Sequence, residues 1–118
     1  MIRGVGTDIV KVCRVDLKYL NRILSDDELA LYDTFSSESR RQEFVAARFA
    51  AKEALTKAFT ATKHFFAFTE MTILNDDDGR PFLKSPQLPE FRIWLSLSHE
   101  HEYAIALCVI EDAVNDAP

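Results

Sequence analysis

Four side chains of this sequence have the types and positions needed to bind a metal ion together with a phosphate group. They are Asp8, Glu53, Lys57 and His99. Carboxylates are the hard oxygen ligands that Mg²⁺ prefers, and lysine and histidine can neutralise the charge of a phosphate. Asp8 lies on a strand pattern where an unpaired carboxylate would be costly to bury. Together these residues predict a magnesium–phosphate site.

Each of these residues also has a purely structural interpretation. Asp8 can cap the segment that follows the strand. Glu53 and Lys57 are four residues apart, in the orientation that favours a surface ion pair on a helix, worth about 0.2–0.5 kcal/mol. His99 can bond to the backbone at the end of a strand. The residues alone leave both interpretations open.

The composition is that of one globular domain. The chain has 118 residues and a mass of 13.5 kDa, is 47% hydrophobic and 28% charged, and has a net charge of −5. We therefore expect a single domain over residues 1–118. The composition excludes a disordered or fibrous chain, and the acidic balance argues against a nucleic-acid partner. No apolar run approaches the ~20 residues of a membrane span.

The sequence lacks the motifs of several common enzyme classes. It contains no Walker loop, dinucleotide-binding fingerprint, nucleophile elbow or zinc-spaced cluster of Cys and His. Cys13 and Cys108 lie far apart in the sequence, and we expect them to be reduced thiols. The N-terminal residues have a strand pattern and not that of a signal peptide. These features predict a cytoplasmic protein with no membrane partner.

The negative net charge conceals two basic segments. Residues 1–22 carry five basic and two acidic side chains, and residues 39–63 carry six basic and two acidic side chains. Such segments suggest local recognition of anions, either phosphates or an acidic partner surface. On charge alone, solvated helix faces are the simpler interpretation.

The first predicted element is a strand over residues 2–10, where the side chains alternate between two faces. The face that carries Asp8 is nearly bare, because Gly4 and Gly6 lack side chains. Backbone, a ligand or another subunit can therefore approach this face closely.

Two short helices are predicted next. Residues 14–24 have helical spacing. Residues 25–28, Ser-Asp-Asp-Glu, form a capping box that begins the second helix. The basic residues of the first helix recur every four positions and fall on one exposed face: Arg14, Lys18 and Arg22.

A longer third helix is predicted over residues 39–59, capped by Ser36 or Ser37 and free of Gly and Pro. Its large apolar residues and three alanines form a core stripe: Phe44, Ala47, Ala51, Leu55, Ala58 and Phe59. A second stripe consists of small residues and predicts a close-packing surface: Ala46, Ala50 and Ala54.

The remainder of the chain is predicted to be β. Residues 71–74 and 81–84 flank a turn-forming cluster that is typical of a hairpin. Residues 91–97 alternate cleanly, and residues 103–110 are apolar on both faces, which is typical of a central strand. The order of elements predicts an α+β fold: a mainly antiparallel sheet with one long and two shorter helices packed on one face.

Three segments of the sequence resemble one family, in its order and spacing. They are Gly-Val-Gly-Thr-Asp-Ile-Val at 4–10 with Arg14, Ala-Arg-Phe-Ala-Ala-Lys-Glu-Ala at 47–54 with Lys57 and Ala58, and Leu-Ser-His-Glu at 97–100 with Tyr103 and Ala104. The chain thereby resembles the holo-acyl-carrier-protein synthases, the small phosphopantetheinyl transferases. The resemblance extends from Met1 to about Glu111.

This resemblance implies an activity and an assembly. The activity is the Mg²⁺-dependent transfer of 4′-phosphopantetheine from coenzyme A to a serine hydroxyl of acyl carrier protein, with release of adenosine 3′,5′-bisphosphate, in fatty acid biosynthesis. The assembly is a homotrimer with active sites between adjacent subunits. The small-residue stripe of the third helix would then serve as a packing surface in this interface.

The resemblance also assigns roles to residues of this sequence. The family's residues at the positions of Asp8 and Glu53 bind the metal, together with the diphosphate and water. Those at the positions of Arg48, Lys57 and His99 surround the phosphates of coenzyme A. The basic residues of the first helix correspond to the surface that meets the acidic recognition helix of the carrier protein: Arg14, Lys18 and Arg22.

Phosphoryl transfer depends on positioning and charge neutralisation more than on covalent catalysis. The catalytic residues would then be Glu53 and Lys57. Lys57 would stabilise the charge that develops on the β-phosphate. Glu53 would accept the serine proton, either directly or through a metal-bound water.

The sequence departs from the family pattern after the long helix. Most members have a loop that reads roughly Gly-Thr-Gly, whereas residues 59–70 contain no glycine. Residues other than glycine disfavour a positive φ. This departure argues against a backbone cradle for coenzyme A in the loop.

Two other functions use parts of the same pattern. A Mg²⁺-dependent phosphoesterase or nucleotide hydrolase would use the same carboxylates. A non-catalytic subunit that binds carrier protein would have the altered loop as its signature. The transferase is favoured over a simple binding subunit, because such a subunit has no need of both Asp8 and Glu53.

Overall fold

The computed structural model describes residues 1–114. These residues fold as one strand, three helices and four further strands, and the predicted α+β order is confirmed. The elements are β1 (Ile2–Lys11), α1 (Leu20–Ile23), α2 (Asp26–Tyr32), α3 (Glu38–Thr60), β2 (Thr72–Asn75), β3 (Pro81–Ser85), β4 (Phe91–His99) and β5 (Tyr103–Asp112). Short 3₁₀ turns lie at Val12–Arg14, Leu17–Tyr19 and Phe68–Glu70.

The strands form two antiparallel sheets. The larger sheet has the order β1-β5-β4, and β2 and β3 form the predicted hairpin. β5 is the central strand, as its apolar pattern predicts. Asp8 pairs with Ala106 in the β1–β5 register, and His99 pairs with Ala104 in the β4–β5 register. Asp8 and His99 therefore lie on the two edge strands of one sheet.

Helix α3 covers the inner face of the three-stranded sheet. It begins at a cap in which the Ser37 hydroxyl accepts a hydrogen bond from the Arg40 amide at 3.3 Å. The inner face of β5 is fully buried against it: Ala104, Ala106, Cys108 and Ile110. The predicted core stripe of α3 is buried along its whole length, from Phe44 to Phe59.

Two glycines allow the backbone of β1 to touch the backbone of α3. A Cβ atom at Gly6 would lie 1.9 Å from the Ala54 carbonyl oxygen, and one at Gly4 would lie 2.2 Å from the Ala58 carbonyl oxygen. Only glycine can occupy these positions without displacing the helix. The small-residue stripe is buried within the protomer: Ala46, Ala50 and Ala54. The suggestion that this stripe serves a subunit interface is wrong, because elements of the same chain already cover it.

The helix predicted over residues 14–24 is wrong for most of its length. The structure has two 3₁₀ turns followed by the single turn of α1. Asp16 has extended backbone angles, and its carboxylate accepts a hydrogen bond from the Lys18 amide at 3.0 Å. This local cap starts a new turn in the middle of the predicted helix. Arg14, Lys18 and Arg22 therefore do not share one helical face.

Both cysteines are free, as predicted. Cys13 is exposed, whereas Cys108 lies in the core, where burial raises the pKa of its thiol to about 12. Within residues 1–114, every helix is too short or too polar to traverse a lipid bilayer.

Replacing Gly6 by alanine tests the contact between β1 and α3. We expect Gly6→Ala to lower the free energy of unfolding by about 3 kcal/mol, at the upper end of the usual cost of an overpacked core. The added methyl group would collide with the Ala54 carbonyl. Gly79→Asn is the control, because Gly79 stands in open space with a φ of 81°, which asparagine tolerates. Equal losses in the two variants, measured by chemical denaturation, would contradict the contact.

Candidate active site

A cleft of about 650 Å³ opens between β1, the 3₁₀ turns, α1 and α3. Both predicted metal ligands line it, Asp8 from β1 and Glu53 from α3. The cleft also has a basic rim: Lys11, Arg14 and Arg22. Its remaining wall is mainly apolar: Ile9, Val15, Ile23, Phe49 and Phe68. The structure thus places the two carboxylates in one cleft, together with three cations.

Lys57 joins Asp8 to the long helix. Its Nζ donates a hydrogen bond to the Thr7 carbonyl at 2.9 Å and lies 3.3 Å from Asp8 Oδ1. Within residues 1–114, no ion pair joins Lys57 to Glu53, so the simple helix-surface pair is not formed. The Asp8 side chain is 19% exposed. The ion pair therefore holds a largely sheltered carboxylate at the edge of the cleft.

Glu53 is the second carboxylate of the cleft, and it is half-buried. Its carboxylate makes no hydrogen bond or ion pair with the described residues, since Lys57 pairs with Asp8 instead. It also contains no cluster of three or more potential metal ligands. Mg²⁺ is usually bound by one or two carboxylates together with substrate phosphates and water. Two carboxylates in one cleft, Asp8 and Glu53, are a donor set of this kind.

Arg48 and His99 line a second cleft, of about 540 Å³. Among the described residues, this cleft shares none of its lining with the first. His99 Nδ1 lies 3.3 Å from Glu43 Oε1, and the Arg48 guanidinium lies 4.5 Å from the centre of the Phe44 ring. Within one protomer, the predicted phosphate-binding residues therefore fall into two groups. Lys57 accompanies Asp8, whereas Arg48 and His99 lie apart from them.

The buried carboxylate of Glu28 makes contacts beyond the capping box that the sequence predicts. The predicted capping box is confirmed, because Glu28 Oε1 accepts a hydrogen bond from the Ser25 amide at 3.0 Å. The same carboxylate accepts from Lys52 Nζ and, at 2.9 Å, from the Ile73 amide. It therefore connects α2 to both α3 and β2.

Glu28, Arg48 and Lys52 form a buried charged cluster, which a pattern in the sequence indicates. Arg48 and Lys52 follow Phe44 at intervals of four residues, in line with the buried Leu55 and Phe59. Charged residues at core positions need a buried partner of opposite charge. Burial lowers the pKa of Lys52 and of Arg48 from their ordinary values, and the nearby Glu28 carboxylate opposes this shift.

The three basic residues assigned to partner binding lie at or beside the first cleft, although no single helix carries all three. Arg14 and Arg22 both line the first cleft. Lys18 Nζ lies 5.0 Å and the Arg22 guanidinium 5.6 Å from the centre of the Tyr19 ring. Tyr19 therefore holds two of these cations beside the cleft.

Comparison with known proteins identifies the family. Residues 4–108 match the family model of the 4′-phosphopantetheinyl transferase superfamily. The chain belongs to this superfamily.

Individual relatives are similar over nearly their whole length. The holo-[acyl-carrier-protein] synthase of Petrotoga mobilis is 40% identical over 120 residues, covering 95% of this chain and 98% of that protein. The synthase of Bacillus subtilis is 38% identical over 118 residues, covering 94% of this chain and 97% of that protein. A crystal structure of the Bacillus anthracis synthase in complex with CoA (3′,5′-ADP) superimposes with a TM-score of 0.85 at 37% identity, covering 96% of this chain and 99% of that one. The predicted resemblance and fold class are confirmed.

The loop after α3 contains a left-handed residue in place of the glycines typical of phosphopantetheinyl transferases. Lys63 has a φ of 61°, a conformation that costs residues with a side chain about 1–2 kcal/mol. The next residue is held firmly. His64 Nδ1 lies 2.9 Å from Thr62 Oγ1, and its ring packs edge-on against Phe91. The loop therefore adopts a positive φ without glycine.

Replacing Lys63 by glycine tests whether this conformation is strained. We expect Lys63→Gly to raise the free energy of unfolding by about 0.5–1 kcal/mol, because glycine adopts a positive φ without steric cost. Ala61→Gly is the control, because Ala61 has an ordinary φ of −64°. That variant should lose about 0.5–1 kcal/mol through the entropy of the unfolded chain. Thermal and denaturant unfolding measure both changes, and destabilisation by Lys63→Gly would rule out strain at this residue.

Proposed function

We propose that this chain is a holo-acyl-carrier-protein synthase. It transfers 4′-phosphopantetheine from coenzyme A to a serine hydroxyl of apo acyl carrier protein and releases adenosine 3′,5′-bisphosphate, as a cytoplasmic, single-domain enzyme of fatty acid biosynthesis. The observation that carries the proposal is the placement of Asp8 and Glu53 in one cleft, with Lys57 paired to Asp8. The similarity of the whole chain to synthases of this activity supports it.

The chemistry follows from the residues of the first cleft. Asp8 and Glu53 would hold Mg²⁺, which supplies charge neutralisation for the diphosphate of coenzyme A. Lys57, anchored beside Asp8, stabilises the negative charge that develops on the β-phosphate. Glu53 accepts the proton of the attacking serine, because no side chain of the described residues occupies its carboxylate.

The mouth of the first cleft is suited to an acidic protein. Arg14 and Arg22 line the cleft, and Lys18 lies against Tyr19 beside them. Carrier protein would place its acidic recognition helix on these residues and its serine at the cleft. Complementary charge of this kind speeds encounter and fixes orientation.

The outer face of the three-stranded sheet supports a homotrimer. This face is apolar and exposed, whereas monomeric proteins rarely expose large apolar patches. Exposed large apolar residues lie on all three of its strands: Val5, Ile9, Trp94, Ile105 and Leu107. A second copy of the chain would cover this face.

The positions of the two clefts support active sites shared between subunits. Asp8 lies on β1 and His99 ends β4, and these are the two edge strands of the sheet. Head-to-tail association around a closed ring brings unlike edges of neighbouring copies together. Arg48 and His99 of one subunit would then bind phosphates of the coenzyme A held at the Asp8 cleft of the next.

Mass measurement after incubation with apo carrier protein, coenzyme A and Mg²⁺ tests the activity. We expect a gain of about 340 Da on the carrier protein, the mass of the transferred group. Glu53→Gln should abolish the gain at saturating Mg²⁺, because the amide is a poor ligand and cannot accept the proton. Glu38→Gln, on the exposed first turn of the same helix, is the control. Free phosphopantetheine in place of a labelled carrier would instead indicate hydrolysis, and full turnover by Glu53→Gln would remove Glu53 from the mechanism.

Complementation between inactive subunits tests the shared site. Glu53→Gln carries an intact second cleft, and the double variant Arg48→Gln/His99→Ala carries an intact first cleft. When the two are co-expressed, random ring assembly should restore about one quarter of the wild-type rate, because one site in four receives both intact halves. Light scattering of the wild type should give three times 13.5 kDa. A co-expressed mixture as inactive as its separate components would contradict sites formed between subunits.

A further inference from the structure

The buried cluster of Glu28, Arg48 and Lys52 has a consequence for the second cleft. We infer that Lys52 is a positioning residue for coenzyme A: by engaging the Glu28 carboxylate, it leaves the Arg48 guanidinium able to bind a phosphate in that cleft. The inference rests on the proposed function, which places a coenzyme A phosphate near Arg48 and His99.

The cluster holds more positive than negative charge. The side chains of Glu28 and Lys52 have no exposed surface, and Arg48 is 4% exposed. One carboxylate therefore faces two cations in the described part of the core. A buried charge without a partner is costly. The cluster is thus suited to an anion from outside the protein.

Lys52 is the main partner of the Glu28 carboxylate. Its ammonium group donates hydrogen bonds to Glu28 Oε1, to the Ile23 carbonyl at 2.6 Å and to the Phe68 carbonyl at 2.8 Å. These three bonds use every donor that a lysine has. Lys52 is therefore fully committed, and it cannot itself reach a ligand.

Arg48 interacts only weakly with the Glu28 carboxylate. Its Nε donates a hydrogen bond to the Ile73 carbonyl at 3.2 Å and lies 3.9 Å from Glu28 Oε2, beyond hydrogen-bond distance. Its Nη2 is buried and has no partner among residues 1–114. Arg48 lines the second cleft together with His99. A phosphate there would satisfy the unpartnered nitrogen, and guanidinium groups suit phosphate geometry.

The charge on Lys52 prevents Glu28 from competing with that phosphate. If the ammonium group were absent, Arg48 would be the only cation that residues 1–114 offer to the buried carboxylate. The guanidinium would then pair with Glu28, and it would offer less charge and fewer donors to a ligand. If Glu28 were also neutral, Arg48 would again be available.

Four forms of the enzyme separate this role from a purely structural one: wild type, Lys52→Met, Glu28→Gln and the double variant. Lys52→Met should raise the KM for coenzyme A by about tenfold or more, as expected for coupled charged groups. The kcat at saturating coenzyme A should change less than twofold. The double variant should return the KM to within threefold of wild type, although it lacks more native contacts. Calorimetric titration of coenzyme A into each form gives the same comparison without turnover.

The outcomes decide between the alternatives. An unchanged KM in Lys52→Met, a fall in kcat alone, or no recovery in the double variant would overturn the inference. If Lys52→Met does not fold, Glu28→Gln decides, because it keeps Lys52 in place and removes only the competing charge. Its KM should equal or fall below that of wild type, and a tenfold rise would overturn the inference. Wild type that neither binds coenzyme A nor modifies carrier protein would instead refute the proposed function, and with it this inference.

Discussion

The backbone of β1 lies directly against the backbone of α3, and the position of the candidate site depends on this contact. Gly6 has no side chain to separate the strand from the Ala54 carbonyl. Asp8 is two residues further along the strand, on the same face. Glu53 and Lys57 flank the contact on the helix. The absence of a side chain at Gly6 thus permits the ion pair between Asp8 and Lys57. It also places Asp8 and Glu53 in one cleft, although they lie more than forty positions apart in sequence.

A second connection fixes the other side of α3. Glu28 receives hydrogen bonds from the start of α2, from β2 and from the Lys52 ammonium group. Removing one partner of a buried ion pair typically costs about 3–5 kcal/mol, so this connection resists displacement of the helix. Glu53 directly follows Lys52 in the sequence, and Arg48 lies one helical turn before Lys52. The two clefts are therefore arranged around a single rigid helix.

Much of this arrangement is readable from the sequence, and its failures have physical causes. The bare strand face of Asp8 and the periodicity of α3 are found as predicted, because each depends on local spacing. The helix predicted over residues 14–24 fails because Asp16 bonds to nearby backbone and starts a separate turn. The burial of the alanine stripe and the wider role of Glu28 depend on residues distant in sequence. In the sequence, the contacts of Glu28 are indicated by Arg48 and Lys52, which are charged residues at core spacing on α3.

The outer face of the sheet carries the chain's one tryptophan, Trp94. Its indole nitrogen donates a hydrogen bond to Glu111 Oε1 at 2.8 Å, while 57% of the residue remains in contact with water. Indole emission depends on the polarity around the ring. Since the chain has no other tryptophan, its tryptophan fluorescence reports on this one surface. Burial of this face in the proposed trimer can thus be followed optically, without attaching a dye.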